Sequence, residues 1–127
     1  MSRNILDQAQ LHPAIRAKIS DSNADIVREV MVAIAANPVV VIGMTQNPFP
    51  RKARKILERA GIAHTYLEYG SYLSQWRKRN ALKMWSGWPT FPMVFVNGVL
   101  VGGANELQLL VTNGELARML ADKVKSF

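Results

Sequence analysis

The sequence predicts an α/β domain in which helices flank a mixed four-stranded sheet, preceded by a helical extension. Three observations carry that prediction. Pro38-Val39-Val40-Val41-Ile42-Gly43-Met44 is apolar without alternation, as a strand buried on both faces requires. His64-Thr65-Tyr66-Leu67-Glu68-Tyr69 alternates in the manner of a second strand. Met93-Val94-Phe95-Val96 and Val99-Leu100-Val101 enclose Asn97-Gly98, the strongest two-residue hairpin signal.

The remaining elements follow in order. His12-Pro13 reads as a helix start, because proline suits the first helical position and His12 can cap it. Asp21-Ser22 precedes a second helix, in which Ile26, Val27, Val30, Met31 and Ile34 keep helical spacing and Ser22 with Asp25 resembles a capping box. Asn37-Pro38 ends it, since a residue before proline is pushed out of the α region. After the first strand, Thr45 to Pro50 is a loop with two prolines, followed by a helix at roughly 50–60 that Pro50 opens and Gly61 closes. Ser71 is expected to cap a basic helix running to about Trp85. Past the hairpin the chain is helical, with a break near Thr112-Asn113-Gly114. A strand–helix–strand unit makes the first two strands parallel, and the hairpin adds an antiparallel pair. The expected division is a helical extension over 1–37 and one domain over 38–127.

Composition narrows the chemistry. With 127 residues, 49% hydrophobic and 20% charged, the chain can bury a core and is not a disordered segment. It contains no cysteine, which excludes a disulfide scaffold, a thiolate metal or cluster site of its own, and a thiol nucleophile. His12 and His64 are the only imidazoles and neither has a partner at ligand spacing, so no metal site is expected. Ser71 and Ser74 have no evident base nearby, so serine hydrolysis finds no support. The net charge is +7, and the excess sits in residues 51–83. There Arg51, Lys52, Arg54, Lys55, Arg59, Arg77, Lys78, Arg79 and Lys83 face only Glu58 and Glu68. Such a segment attracts anions, although the same pattern also fits solvated helix faces. The first ten residues lack an apolar leader core and the best apolar run is too short to cross a bilayer, so a cytoplasmic location without membrane contact is expected.

Four local sequences, in this order and spacing, resemble the glutaredoxin branch of the thioredoxin fold. Val39 to Ile42 leading into Asn47-Pro48-Phe49-Pro50-Arg51-Lys52 is similar to the family's strand, Cys-Pro-Tyr-Cys site and basic helix. Trp88-Pro89-Thr90-Phe91-Pro92 is similar to the segment whose proline is cis in the family, which implies a cis bond before Pro92. Val96-Asn97-Gly98 through Gly102-Gly103-Ala104-Asn105 resembles the hairpin and Gly-Gly-Cys-Asp glutathione loop, and Asn113-Gly114-Glu115-Leu116 the start of the last helix. Trp88 to Asn105 is most similar to the single-cysteine, monothiol glutaredoxins. The resemblance covers about residues 38–124.

What the resemblance implies about function turns on its departures. Asn47 stands at the nucleophile's position and Pro50 at the second cysteine's, so the family's thiol–disulfide chemistry and cluster ligation both lack their sulfur. Asn47 reads instead as a helix cap. For a glutathione-like ligand the resemblance implies Arg79, Thr90, Phe91, Pro92, Gly103, Ala104 and Asn105, with the Phe91 main chain pairing with the ligand backbone and the Gly-Gly helix start meeting a carboxylate. Met44 replaces the family's lysine. Asn105 replaces an aspartate, exchanging a charge-assisted bond of about 1.5–3 kcal/mol for an ordinary one. The implied function is a non-catalytic module binding a glutathione-like molecule or a protein, linked to redox or iron–sulfur homeostasis. One alternative is oxidoreductase activity with a thiol supplied by glutathione or a partner. A second is anion or nucleic-acid binding by the basic helices, with Trp76, Trp85 and Trp88 as stacking surfaces.

Overall fold

The computed structural model describes residues 12–14, 24–71 and 74–125. Its order is α1 (Ala24–Ala36), β1 (Val39–Gly43), α2 (Pro48–Arg59), β2 (Thr65–Glu68), α3 (Trp76–Ser86), β3 (Met93–Val96), β4 (Val99–Gly102), α4 (Ala104–Thr112) and α5 (Glu115–Lys125). The sheet order is β2-β1-β3-β4. β1 pairs parallel with β2 and antiparallel with β3, and β3 pairs antiparallel with β4. The mixed four-stranded sheet expected from the sequence is therefore present.

The unbroken apolar run of β1 has the expected cause: all five residues are buried, because helices cover both faces. Val40, Ile42, Met93 and Phe95 pack with Ile26 and Val30 of α1 and Leu82 of α3. Val39, Val41, Val94 and Val96 pack with Ala53, Ile56 and Leu57 of α2, Leu107 of α4 and Leu116 of α5. Strand alternation thus divides the side chains between two cores. α1 lies within the 1–37 segment, and its apolar stripe belongs to the first of these cores.

Several boundaries differ from expectation. α2 begins at Pro48, two residues before Pro50, because Asn47 supplies the cap and Pro48 takes the first helical position. Ser71 does not cap α3, which starts at Trp76 after Gln75 in the left-handed region. The serines satisfy one another instead: the Ser71 N–H donates to Ser74 Oγ at 3.0 Å, and the Ser74 N–H donates to the Ser71 carbonyl at 3.2 Å. Such local hydroxyl turns compete with helix formation. His12 does cap, its Nδ1 accepting from the Ala14 N–H at 3.0 Å. The continuation of that first helix and the proposed Ser22 cap lie outside the described residues. At the hairpin, Asn97 and Gly98 have φ of 51° and 81°, as a type I′ turn demands.

Candidate functional site

Sheet register gathers the site. Ile42 near the end of β1 pairs with Met93 at the start of β3, and Val94 pairs with Gly102 at the end of β4. The loop after β1, the loop before β3 and the start of α4 therefore meet at one end of the sheet. β2 ends there as well, because Gly43 is opposite Glu68. Thr45 fastens the first loop to the segment after β2, its N–H and Oγ1 donating to the Gly70 carbonyl at 2.8 and 3.0 Å.

Asn47 sits at the centre. Its Oδ1 accepts from the Phe49 N–H at 3.0 Å, which caps α2. Its Nδ2 donates across 44 residues of sequence to the Phe91 carbonyl at 3.4 Å. The Phe91–Pro92 bond is cis. Pro50 is buried in the α2 face, with its Cβ in the space that a side chain at Gly43 would need. Of these two side chains, Asn47 caps and cross-links while Pro50 packs.

The α4 side is equally specific. The Gly103 N–H donates to Glu106 Oε1 at 2.9 Å, so one donor of this helix start is met internally. The Leu107 N–H closes the first turn on the Gly103 carbonyl at 3.0 Å, which leaves Ala104, Asn105 and Glu106 with the orphan donors of a helix N-terminus. A Cβ at Gly103 would come within 3.4 Å of the Pro92 carbonyl and 3.8 Å of the Trp88 ring, so this loop and the cis-proline loop nearly touch. Asn105 Oδ1 accepts from Lys52 Nζ at 3.4 Å, joining α4 to α2.

Thr90 is exposed beside the cis bond, while Phe91 and Pro92 are buried. The Phe91 ring lies in the α1/α3 core, with Lys83 Nζ 5.8 Å from its centroid. Arg79 is only 6% exposed, and its Nη1 donates to the carbonyls of Tyr69, at 3.0 Å, and Ser74. The guanidinium thus holds the loop between β2 and α3. Met44 is buried in the first core. Three links were not anticipated from sequence: Asn47 to Phe91, Lys52 to Asn105, and Gly103 to Glu106. Only the last had a local signal, the three-residue spacing of a capping glutamate. Among the described residues the one ion pair is Glu115–Arg118, at 2.9 Å, and no group of acidic and imidazole side chains could hold a metal ion. No helix among them is long and apolar enough to cross a membrane.

The phenols beside the site are shifted. Burial, the hydrogen bond to Glu68 and that carboxylate's charge push Tyr66 up to about 12, against the opposing pull of Arg54. Tyr69 is raised too, by burial and by its 2.7 Å bond to Glu29.

Comparison with known proteins agrees with this architecture. The glutaredoxin family model matches residues 39–101. The chain is 42% identical over 105 residues to a glutaredoxin-like protein of Dictyostelium discoideum, covering 83% of this chain and 85% of that protein. It is 38% identical over 97 residues to a probable monothiol glutaredoxin 2 of Rickettsia prowazekii (strain Madrid E), covering 72% and 88%. The fold matches the crystal structure of a buckwheat glutaredoxin–glutathione complex with a TM-score of 0.71 at 22% identity, over 80% of this chain and 93% of that one. Identity of this order along most of a relative's length, on a matching fold, makes the chain a member of the glutaredoxin family that carries no cysteine.

Proposed function

We propose that this chain is a non-catalytic glutaredoxin-type module whose groove receives glutathione or a glutathione-like peptide, in the service of redox or iron–sulfur homeostasis. The observation that carries the reading is Asn47: at the head of α2, opposite a cis-proline loop, stands a carboxamide that cannot form a thiolate. Around it stand backbone groups suited to a peptide ligand, which supports the reading. The Phe91 carbonyl lies within 3.4 Å of Asn47 Nδ2 beside the cis bond, and the orphan N–H groups of Ala104 and Asn105 suit a carboxylate. Thr90, Pro92 and Gly103 complete the proposed ligand set, whereas the guanidinium of Arg79, named with them from the sequence, is already committed to the Tyr69 and Ser74 carbonyls. The buckwheat relative is a glutathione complex, which supports this ligand class. Met44 in place of a lysine and Asn105 in place of an aspartate each remove a charge-assisted contact, so the expected affinity is lower than such a charged pair would give.

An amide-shift titration with glutathione tests the binding. Shifts at Phe91, Gly103, Ala104 and Asn105 are expected, and none at millimolar glutathione would remove the proposal. A glutathione-coupled disulfide reduction assay tests the other half, since turnover by the unaltered chain would overturn the non-catalytic reading.

A further inference from the structure

The ligand groove leaves the largest feature of the sequence, its concentrated positive charge, without a use. Of the basic side chains in 51–83, Arg54 lies over the Tyr66 ring at 4.3 Å, Arg79 holds loop carbonyls, Lys83 lies 5.8 Å from the Phe91 ring centroid, and Lys52 keeps a 3.4 Å bond to the neutral Asn105 amide. Arg51, Lys52, Lys55 and Arg77 are exposed, and among the described residues none has a carboxylate within ion-pair distance. Two large aromatic side chains stand out at the same end of the sheet. Phe49, in the first turn of α2, is 50% exposed, and Trp76, the first residue of α3, is 53% exposed. Their two loops are the ones that Thr45 ties together through Gly70. Exposed aromatics set among arginines and lysines have the composition of an interaction hot spot rather than of a plain solvated face.

We propose that this end of the molecule is a docking surface for an acidic segment of another protein, with Phe49 and Trp76 as apolar anchors and Arg51, Lys52 and Arg77 as the complementary charge. The proposal goes beyond the glutathione reading and does not depend on it. A protein segment fits better than nucleic acid for two reasons. The Arg77 guanidinium lies 5.3 Å from the Trp76 ring centroid, so a cation already occupies a face on which a base would stack. The charge is also divided between short helix starts rather than laid along a continuous track for a phosphate backbone.

The test uses the full chain and a synthetic peptide of alternating glutamate and leucine, followed by amide shifts and by anisotropy of a labelled peptide. Shifts confined to Phe49–Lys55 and Trp76–Lys78 are expected. The double variant Arg51→Glu, Arg77→Glu should weaken binding about tenfold or more. Arg59→Glu, a reversal at the far end of α2, should leave it nearly unchanged, and Phe49→Ala should weaken it at unchanged net charge. Three results would each overturn the proposal: no shifts at low salt, equal weakening by Arg59→Glu, or tighter binding of oligo(dT) than of the peptide. Glutathione titrated into the same sample separates the two ideas, because loss of glutathione binding alone leaves this surface standing.

Discussion

Replacing Asn47 with serine should tighten glutathione binding even though it removes a hydrogen bond from the protein. The two atoms of the carboxamide do different work. Oδ1 caps α2 through the Phe49 N–H at 3.0 Å, whereas Nδ2 reaches the Phe91 carbonyl at 3.4 Å. Serine is as good a cap as asparagine but too short to bridge to the cis-proline loop. The lost bond is long, so its net worth is at the low end for a neutral pair, about 0.5–1 kcal/mol. A ligand amide directed at the same lone pair of the Phe91 carbonyl competes with that bond, and removing the side chain then returns the same free energy to binding. Affinity should therefore rise about 2- to 5-fold. The midpoint of thermal unfolding should fall by only a few degrees. Calorimetric titration of both proteins with glutathione, at one pH and salt concentration, supplies the comparison. Asn47→Ala should show the same gain in affinity with a larger loss of stability, because it also forfeits the cap. An unchanged or weaker affinity in Asn47→Ser would refute the competition between side chain and ligand.

Three further outcomes are expected. Asn47→Cys places a thiol at the start of α2, where the helix favours the thiolate, and should bring glutathione-dependent disulfide reduction above that of the parent in the coupled assay. Gly43→Ala puts a methyl 2.7 Å from Pro50 Cβ and 2.8 Å from the Tyr66 hydroxyl, and should cost about 1–3 kcal/mol in urea unfolding. Tyr66 is held near 12, above the ordinary phenol value of about 10, so its stabilising contribution is complete below pH 10 and is lost as pH rises toward 12. Urea midpoints should fall across that window, and less steeply in Tyr66→Phe.

The sequence by itself determined the elements with short-range causes. The apolar run at Val39–Gly43, the Asn97-Gly98 turn, the Asn37-Pro38 stop and the Gly114 break are dictated by neighbouring residues, and each appears where its local pattern puts it. The missing sulfur was equally legible, because composition alone excludes a thiolate. Local signals failed where two of them competed. Ser71 has the chemistry of a cap, yet Ser74 engages it, and α3 begins later.

Tertiary structure alone decided what the candidate site does with its side chains. Asn47 and Phe91 meet only because β1 and β3 are antiparallel neighbours, and Lys52 reaches Asn105 only because α2 and α4 pack on the same face. It also turned Arg79 inward onto the carbonyls of Tyr69 and Ser74, while leaving Arg51 and Arg77 in solvent. Residue type fixes which bonds a side chain can make. Its place in the folded chain fixes which partners come within about 3 Å, and that distance separates a clamp from a docking charge.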